Sequence, residues 1–243
     1  VKGDVAACAK GQTGVAFAAS VAAYESNLVK RHELTRPDKE NDRVRNIDSL
    51  NAQTGPVLLA YRADAALREL VRTASAGKPL FKVAGPNDTV HTLWSVAARD
   101  QVAAFSAAFD ALGALYIADG HHRSAAAMRV AHERRDEARA EAVAVSLGSA
   151  VPHPAGASHE FFLAAAFPHD EMRILDYNRV VRDLNGLTVD ALLARVRESF
   201  DVEPSGGSQV KPAQPETFGM FVAGNWYRLK IKPALVPRAD PVA

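Results

Sequence analysis

The stretch from Leu115 to Met128 constrains the fold of this chain more than any other. Its apolar run ends at Asp119-Gly120, and an alanine-rich segment that favours a helix follows. This change of pattern at an Asp-Gly pair predicts a strand, a tight turn and a helix. Glycine has no Cβ, so the backbone at Gly120 can turn sharply and approach a ligand closely. The expected unit is therefore a strand that leads directly into a helix.

The polar residues after this turn fall on the first turn of the predicted helix. The first N–H groups of a helix have no intrahelical acceptor and the helix dipole is positive there, so His121 and His122 lie where anions are favoured. Arg123 adds a planar fork of donors that suits phosphate or carboxylate. Asp119 is suited to capping the helix, binding a metal ion or orienting a histidine. With Gly120, these residues predict an anion-binding turn; the alternative is a structural cap with solvated histidines.

A second polar concentration, Val29–Arg45, is the most charged part of the chain. Pro37 suits the first turn of a helix, and the acidic residues just after it complement the helix dipole. Most charge runs of this kind form a solvated helix face with i,i+4 ion pairs. His32, Glu33 and Arg36, however, precede the helix, where loops tend to carry function. Both interpretations of this segment stay open.

The rest of the chain alternates predicted strands with predicted helices, which is typical of an α/β or α+β fold. The predicted strands are 14–21, 57–61, 80–84, 90–96, 161–167, 172–177 and a hairpin over 217–231. The predicted helices are 63–76, 97–112, 121 to about 142, and one capped by Thr188 that runs to Phe200. Segments 148–158 and 205–215 are expected to be a loop and a flexible linker. We expect a mixed sheet with flanking helices.

Two portions of the chain are expected to form separate domains. Residues 1–147 form the expected core domain with the Asp-Gly-His-His-Arg turn, and residues 148–243 a C-terminal α+β portion packed on it. The chain begins at Val1 rather than methionine and ends just after a predicted strand. A piece of a longer protein, truncated at the C-terminus, is therefore expected.

Composition excludes several classes of function. The net charge of +1 gives no global electrostatic reason to bind nucleic acid or an anionic membrane. The single cysteine, Cys8, excludes an internal disulfide framework and a multi-cysteine metal site, and it suits the cytoplasm. No apolar run approaches the ~20 residues of a membrane span. We expect a cytoplasmic protein without nucleic-acid or membrane partners.

Four motifs in order resemble the uncharacterised bacterial family known as domain of unknown function 1015. They are Lys30–Pro37, Leu50–Pro56, Ala118–Arg123 and Ile174–Arg179. The resemblance covers nearly the whole chain, and members of the family run longer at both ends. It also implies a role at the serine or phosphoserine step of serine biosynthesis.

The Asp-Gly-His-His-Arg turn alone resembles the ParB/sulfiredoxin-like superfamily. There, a strand–turn–helix of this pattern binds nucleotide phosphates, and the group includes kinases that phosphorylate free serine. The resemblance implies a ParB/sulfiredoxin-like core with Asp119, His121, His122 and Arg123 at the phosphates or a metal ion. No residues here match the DNA-binding helix-turn-helix of partition proteins. His121 occupies the place of the sulfiredoxin redox cysteine, so that activity is not implied.

The leading hypothesis is a phosphoryl-transfer enzyme that acts on serine or phosphoserine with a nucleotide (ATP or ADP) and Mg²⁺. Glu33 is the expected general base, with His32 or His122 as alternatives, and Asp119 the expected Mg²⁺ ligand. Phosphate or substrate contacts are expected from residues in or near three of these motifs, which are Gly120, Arg123, His32, Arg36, Lys39, Arg43, Asn178 and Arg179.

Three other functions stay open at this point. A phosphoserine phosphatase would work through a phosphohistidine at His121 or His122. A non-catalytic, ParB-like switch would bind a nucleotide and close or dimerise, so a homodimer is among the expected partners. A metal-binding protein would use His121, His122, Asp119 and His32, although adjacent histidines rarely bind one ion together.

Overall fold

The computed structural model describes residues 11–86, 88–145, 157–173 and 175–236, which form a mixed five-stranded sheet, two smaller antiparallel sheets and several helices. The strands are β1 Val15–Ser20, β2 Val29–Lys30, β3 Val57–Tyr61, β4 Phe81–Ala84, β5 Val90–Leu93, β6 Leu115–Asp119, β7 Phe161–Pro168, β8 Phe200–Pro204, β9 Thr217–Val222 and β10 Asn225–Ile231. The helices are α1 Val21–Glu25, α2 Pro37–Leu50, α3 Ala65–Ala74, α4 Arg99–Asp110, α5 His121–Val145 and α6 Val189–Ser199. The predicted fold class, a mixed sheet with flanking helices, is confirmed.

Backbone contacts divide the chain into two compact units, one that ends at Ile174 and one that begins at Leu175. The expected division lay between residues 147 and 148 and assigned β7 to the C-terminal portion. In the structure β7 belongs to the first unit, where it lies between β1 and β3 in the main sheet. No local pattern indicates this placement, because β7 reaches its neighbours only through long-range pairing.

The sheet of the first unit has the strand order β1-β7-β3-β6-β2. Strand β2 pairs with β6 in parallel, and β3 pairs with β6 in antiparallel orientation. The loops that follow β2 and β6 therefore leave the sheet at the same end of the strands, and the loop that precedes β3 lies at that end too. The candidate site lies there, at the carboxyl ends of β2 and β6.

The core of the first unit is built on alternating positions of its central strands. In β3, Val57, Leu59 and Tyr61 are buried, whereas the two residues between them are half-buried. Full burial of such a side chain contributes roughly 1.5–3 kcal/mol. On β7, Phe162 and Ala164 are buried in the same core. The predicted bounds of β3 are confirmed to the residue. Its burial alternates with the period of two that is expected of a strand.

Helices α2 and α5 lie side by side and run in the same direction. Contacts between them advance together along both helices: Arg36 with His122, Asn41 with Arg129, and Asp48 with Arg134. A small cluster of Val44, Ala126 and Val130 is buried between them. Because the helices are parallel, their N-termini lie next to each other.

The second unit contains α6 and a three-stranded sheet in the order β8-β10-β9. Thr188 caps α6, since its side chain accepts a hydrogen bond from the N–H of Ala191 (3.2 Å). The turn between β9 and β10 lies at Ala223 and Gly224, which both have positive φ, as a tight two-residue hairpin turn requires. The predicted cap and the predicted hairpin are both confirmed.

Several sequence predictions in the rest of the chain are wrong. The strand predicted at 172–177 is absent from the described residues of that segment. The helix predicted to run to Phe200 ends at Ser199, and Phe200 begins β8, which was not predicted. In the expected linker 205–215, Val210 is buried. The loop predicted at 148–158 lies almost wholly outside the described residues.

No helix in the described part of the chain is both long enough and apolar enough to cross a membrane. The longest of these helices, α5, has 25 residues. Its middle, from His132 to Glu137, is a run of mostly charged side chains. This finding agrees with the absence of an apolar run of about 20 residues in the sequence.

Candidate functional site

Three of the four sequence motifs meet at one edge of the main sheet. Residues 31–36 follow β2, residues 53–56 precede β3, and residues 119–123 follow β6. Ligands in open α/β sheets bind preferentially outside the carboxyl ends of parallel strands, and this edge contains those ends of β2 and β6. The arrangement brings Glu33, His121 and their neighbours together although they are far apart in the sequence.

Gly120 makes the turn from β6 into α5. Its φ is +101°, and a Cβ there would lie 3.2 Å from the Cα of Val57. Its carbonyl accepts hydrogen bonds from the N–H groups of Arg123 (2.9 Å) and Ser124 (3.0 Å), which are the first bonds of the helix. The N–H groups of His121 and His122 precede these bonds at the positive end of the dipole. The predicted strand–turn–helix is confirmed.

His121 is buried and holds the loop that follows β2. Its side chain is 3% exposed, and its Nε2 accepts a hydrogen bond from the backbone N–H of His32 (3.4 Å). Its Nδ1 lies 3.6 Å from Oε2 of Glu33. These contacts suit a neutral ring with the proton on Nδ1. Burial, followed by the nearby His32, lowers the pKa of His121 below its usual value.

His122 holds the same loop at its other end. Its Nε2 accepts a hydrogen bond from the backbone N–H of Arg36 (3.1 Å). Arg36 is the residue before the first turn of α2, so this bond joins the starts of α2 and α5. The two adjacent histidines therefore bind the loop through its backbone. The sequence analysis predicted catalytic roles for both histidines and did not predict that they bind the backbone of this loop.

Arg123 is already engaged within the protein. Its Nη2 donates to Oδ2 of Asp119 (2.7 Å), and its Nη1 donates to the carbonyl of Pro56. The guanidinium thus ties the end of β6 to the loop before β3. The carboxylate of Asp119 remains 70% exposed. Whether Arg123 also contacts an anion stays a prediction.

The predicted cations of α2 lie at different distances from the loop. The exposed guanidinium of Arg36 makes two hydrogen bonds to the carboxylate of Asp38 (2.8 and 3.1 Å). Lys39 is exposed one residue further along the first turn of the helix. Arg43 lies two turns into α2 and pairs with Asp42. Of these cations, Arg36 and Lys39 lie nearest the starts of both helices.

Asn178 and Arg179 belong to the second unit. Both are exposed, and the guanidinium carbon of Arg179 lies 4.0 Å from the centre of the Tyr177 ring. Their expected contact with a phosphate ligand stays a prediction.

Gln53 lies in the loop before β3, next to the candidate site, and was not predicted to have a role there. Its Nε2 donates to the carbonyl of Phe161, and its Oε1 accepts from the N–H of Leu163 (both 2.9 Å). It therefore fixes the start of β7 against the loop before β3. The only signal was its place in the motif Leu50–Pro56, which by itself indicates a turn.

The described residues offer no closed metal cage. They contain no group of three or more His, Cys, Asp or Glu side chains that could hold a metal ion. Mg²⁺, however, usually keeps several waters and binds one or two carboxylates together with substrate phosphates. The exposed carboxylate of Asp119 fits this second mode.

Together, fold and site define a mixed α/β protein with a candidate anion site where two parallel strands and two parallel helices meet. A family model described as "Protein of unknown function (DUF1015)" matches residues 5–243. The chain therefore belongs to this family, as the four motifs predicted. No curated protein and no solved structure matches the chain. The resemblance to the ParB/sulfiredoxin-like superfamily stays a prediction.

Proposed function

We propose that this protein transfers a phosphoryl group to or from a small molecule at the N-termini of α2 and α5. The observation that carries this proposal is the convergence of the two helix starts, joined by the bond from Arg36 N–H to His122 Nε2. At the start of α5 the N–H groups of His121 and His122 have no intrahelical acceptor, and both helix starts contribute a positive dipole end at one place. Helix α2 contributes mainly its dipole, because its first residue, Pro37, has no N–H. Arg36 and Lys39 add formal positive charge there. A phosphate group is the ligand that this combination favours.

Glu33 is the proposed general base. Its carboxylate is 60% exposed, and the neutral His121 lies on one side of it. In the forward direction Glu33 takes the proton of the acceptor hydroxyl while the hydroxyl oxygen bonds to the terminal phosphorus of the nucleotide. The bond between that phosphorus and the bridging oxygen breaks, and the nucleotide that is one phosphate shorter (ADP from ATP, or AMP from ADP) leaves with the electron pair. Positioning and charge stabilisation contribute most of the rate in such reactions.

The proposed substrate is serine or phosphoserine, as the family resemblance implies, with ATP or ADP as its partner. Arg36 is suited to a substrate carboxylate because a guanidinium binds carboxylates through two parallel hydrogen bonds, as it already does with Asp38. Asp119 would hold Mg²⁺ together with the nucleotide. The ion would neutralise phosphate charge.

The geometry weighs against a phosphohistidine at His121. A phosphoryl group needs an accessible ring nitrogen, but this ring is 3% exposed, and both nitrogens face partners. At His122, Nε2 likewise already accepts a hydrogen bond from the backbone N–H of Arg36. A phosphatase that forms such an intermediate would first have to release the loop.

The first test is thermal stabilisation of the protein by ATP, ADP, CTP, phosphoserine, serine and pyrophosphate, each with and without Mg²⁺. A ligand that binds the native state raises its apparent stability. We expect a Mg²⁺-dependent shift with a nucleotide that serine or phosphoserine enlarges. A nucleotide shift that ignores the amino acids would favour the non-catalytic switch, and no shift with any ligand would refute the anion site.

Replacement of the proposed base separates catalysis from binding. We expect Glu33→Gln to abolish phosphoryl transfer while nucleotide affinity stays within about threefold, because the amide cannot accept the proton. Glu133→Gln, an exposed change in the middle of α5, serves as the control. Turnover retained in Glu33→Gln would remove Glu33 from the mechanism.

A further inference from the structure

Strand β1 lies at one edge of the main sheet, and its open side faces a cavity. Within the described residues β1 pairs with β7 alone. The cavity has a volume of about 870 Å³, and every residue from Thr13 to Ser20 lines it. Successive side chains of a strand point to opposite faces of the sheet. Lining by consecutive residues therefore means that the backbone edge of β1, with its N–H and C=O groups, borders the cavity.

The opposite wall of this cavity is apolar. It is formed by side chains of α3, α4 and the end of β5, among them Val71, Val102, Phe105, Phe109 and Leu93. The indole N–H of Trp94 donates to the carbonyl of Gly77 (3.1 Å), which fixes the segment after β5. Asp110 is the one charged residue in the lining.

We propose that this groove binds an extended, apolar peptide segment, which adds to β1 as a further strand. An unpaired strand edge needs hydrogen-bond partners, and the apolar wall needs apolar contacts. An extended backbone with apolar side chains satisfies both at once. The nearly uncharged lining selects against charged side chains in the segment, and Asp110 favours a basic residue at its end. The six residues of β1 offer about 20 Å of strand edge.

The groove is separate from the anion site. It is lined by Leu28, Val29 and Leu115, which lie at the starts of β2 and β6, whereas the anion site lies at the ends of the same two strands. The binding of a peptide strand therefore does not depend on the proposed phosphoryl transfer. Either can fail alone.

The test uses a short fluorescent peptide of alternating valine and alanine with one terminal lysine. We expect saturable binding by fluorescence anisotropy. Methylation of the backbone nitrogens on one edge of the peptide removes the donors that pair with β1 and should weaken binding at least ~10-fold, whereas methylation on the other edge should be tolerated. Equal binding of all three peptides, or displacement of the parent peptide by lauric acid with no effect of methylation, would overturn strand addition. Failure of the parent peptide to bind would overturn it as well.

Variants then locate the binding. Ala74→Phe fills the groove from α3 and should weaken binding of the parent peptide at least ~10-fold. The control is Ala66→Phe, which places the same side chain on an exposed position of the same helix outside the groove. If Ala74→Phe lowers the melting temperature, Val102→Lys, at a 46% exposed wall position, replaces it, with Ala103→Lys as its control. Unchanged affinity in a folded groove variant would refute this location.

Discussion

At the scale of single residues, Gly120 holds a backbone conformation that suits glycine. Its φ of +101° lies outside the range of ordinary side chains, and a Cβ would lie 3.2 Å from the Cα of Val57, so the backbone there would have to shift. The turn places His121 and His122 at the start of α5. A change here should therefore affect stability and the site together.

We expect Gly120→Ala to lower the free energy of unfolding by about 1–3 kcal/mol, the usual cost of a strained backbone position. Urea denaturation measures this change. Gly77→Ala is the control, because its added Cβ meets nothing within 4 Å and its φ is not positive. A cost for Gly120→Ala no greater than that of the control would contradict the strained turn.

The buried ring of His121 predicts a dependence of stability on pH. Its pKa in the folded protein lies below the usual histidine value of about 6.5, chiefly because of burial. Well above that pH the ring is neutral in both states. As the pH falls below 6.5 the unfolded chain takes up the proton first, so stability is lost towards the folded-state pKa.

Urea denaturation at several pH values between 7 and 5 tests this dependence. We expect His121→Gln to lose less stability over this range than the unaltered protein, because it removes the titrating ring. His91→Gln, at an exposed position of β5, should keep the original pH dependence. If stability changes with pH to the same extent in the unaltered protein and in His121→Gln, the ring of His121 does not determine the pH dependence of stability.

The sequence predicted where the candidate site residues lie in the fold better than it predicted what each one contacts. Its spacing indicated that His121, His122 and Arg123 begin a helix, and they do. It could not indicate that the imidazoles accept backbone N–H groups from 31–36, because that segment is distant in the sequence. Nor could it indicate that Arg123 binds the carbonyl of Pro56. Local patterns specify a turn, whereas tertiary packing specifies its partners.

At the scale of elements, the packing of α2 against α5 determines where the two helix starts meet. Ala126 is fully buried between the helices, and its small side chain allows them to approach closely. The geometry of the candidate site therefore depends on a helix interface whose buried cluster begins about a turn away from the loop.

We expect Ala126→Leu to lower the free energy of unfolding by about 1–3 kcal/mol through overpacking. It should also reduce the thermal shift given by pyrophosphate, because the helix starts move apart. Ala107→Leu, at an exposed position of α4, is the control for both measurements. If Ala126→Leu is destabilised but pyrophosphate still gives the same thermal shift, the candidate site does not depend on the packing of these two helices.

Elements with a strong internal pattern were predicted well, and those set by their neighbours were not. Strand β3 is a short apolar run directly after the turn at Gly55-Pro56, and the start of α2 is signalled by Pro37. Strand β8 follows α6 without a turn, so its sequence continues the helix pattern to Phe200. It is a strand because it pairs with β10. That pairing lies outside any local window.

At the scale of the whole molecule, the sequence predicted the fold class and the family but not the order of the strands. Strands β1 and β7 are far apart in the sequence, yet they pair along all of β1. The division into units at Ile174 follows from this pairing. A small net charge likewise says little about partners, because it is a sum over the whole chain and does not describe the charges at one site.

The contact of the two histidines with the loop has a consequence for how the site can change. Both rings accept hydrogen bonds from main-chain N–H groups, which every residue except proline provides. The loop's position is thus largely independent of side chains such as Leu34 and Arg36, which are 94% and 70% exposed. Substitutions at these side chains should therefore leave the backbone hydrogen bonds of the loop in place. Under the proposed function, substrate preference and folding would depend on different positions, and this loop would be the place to redesign specificity.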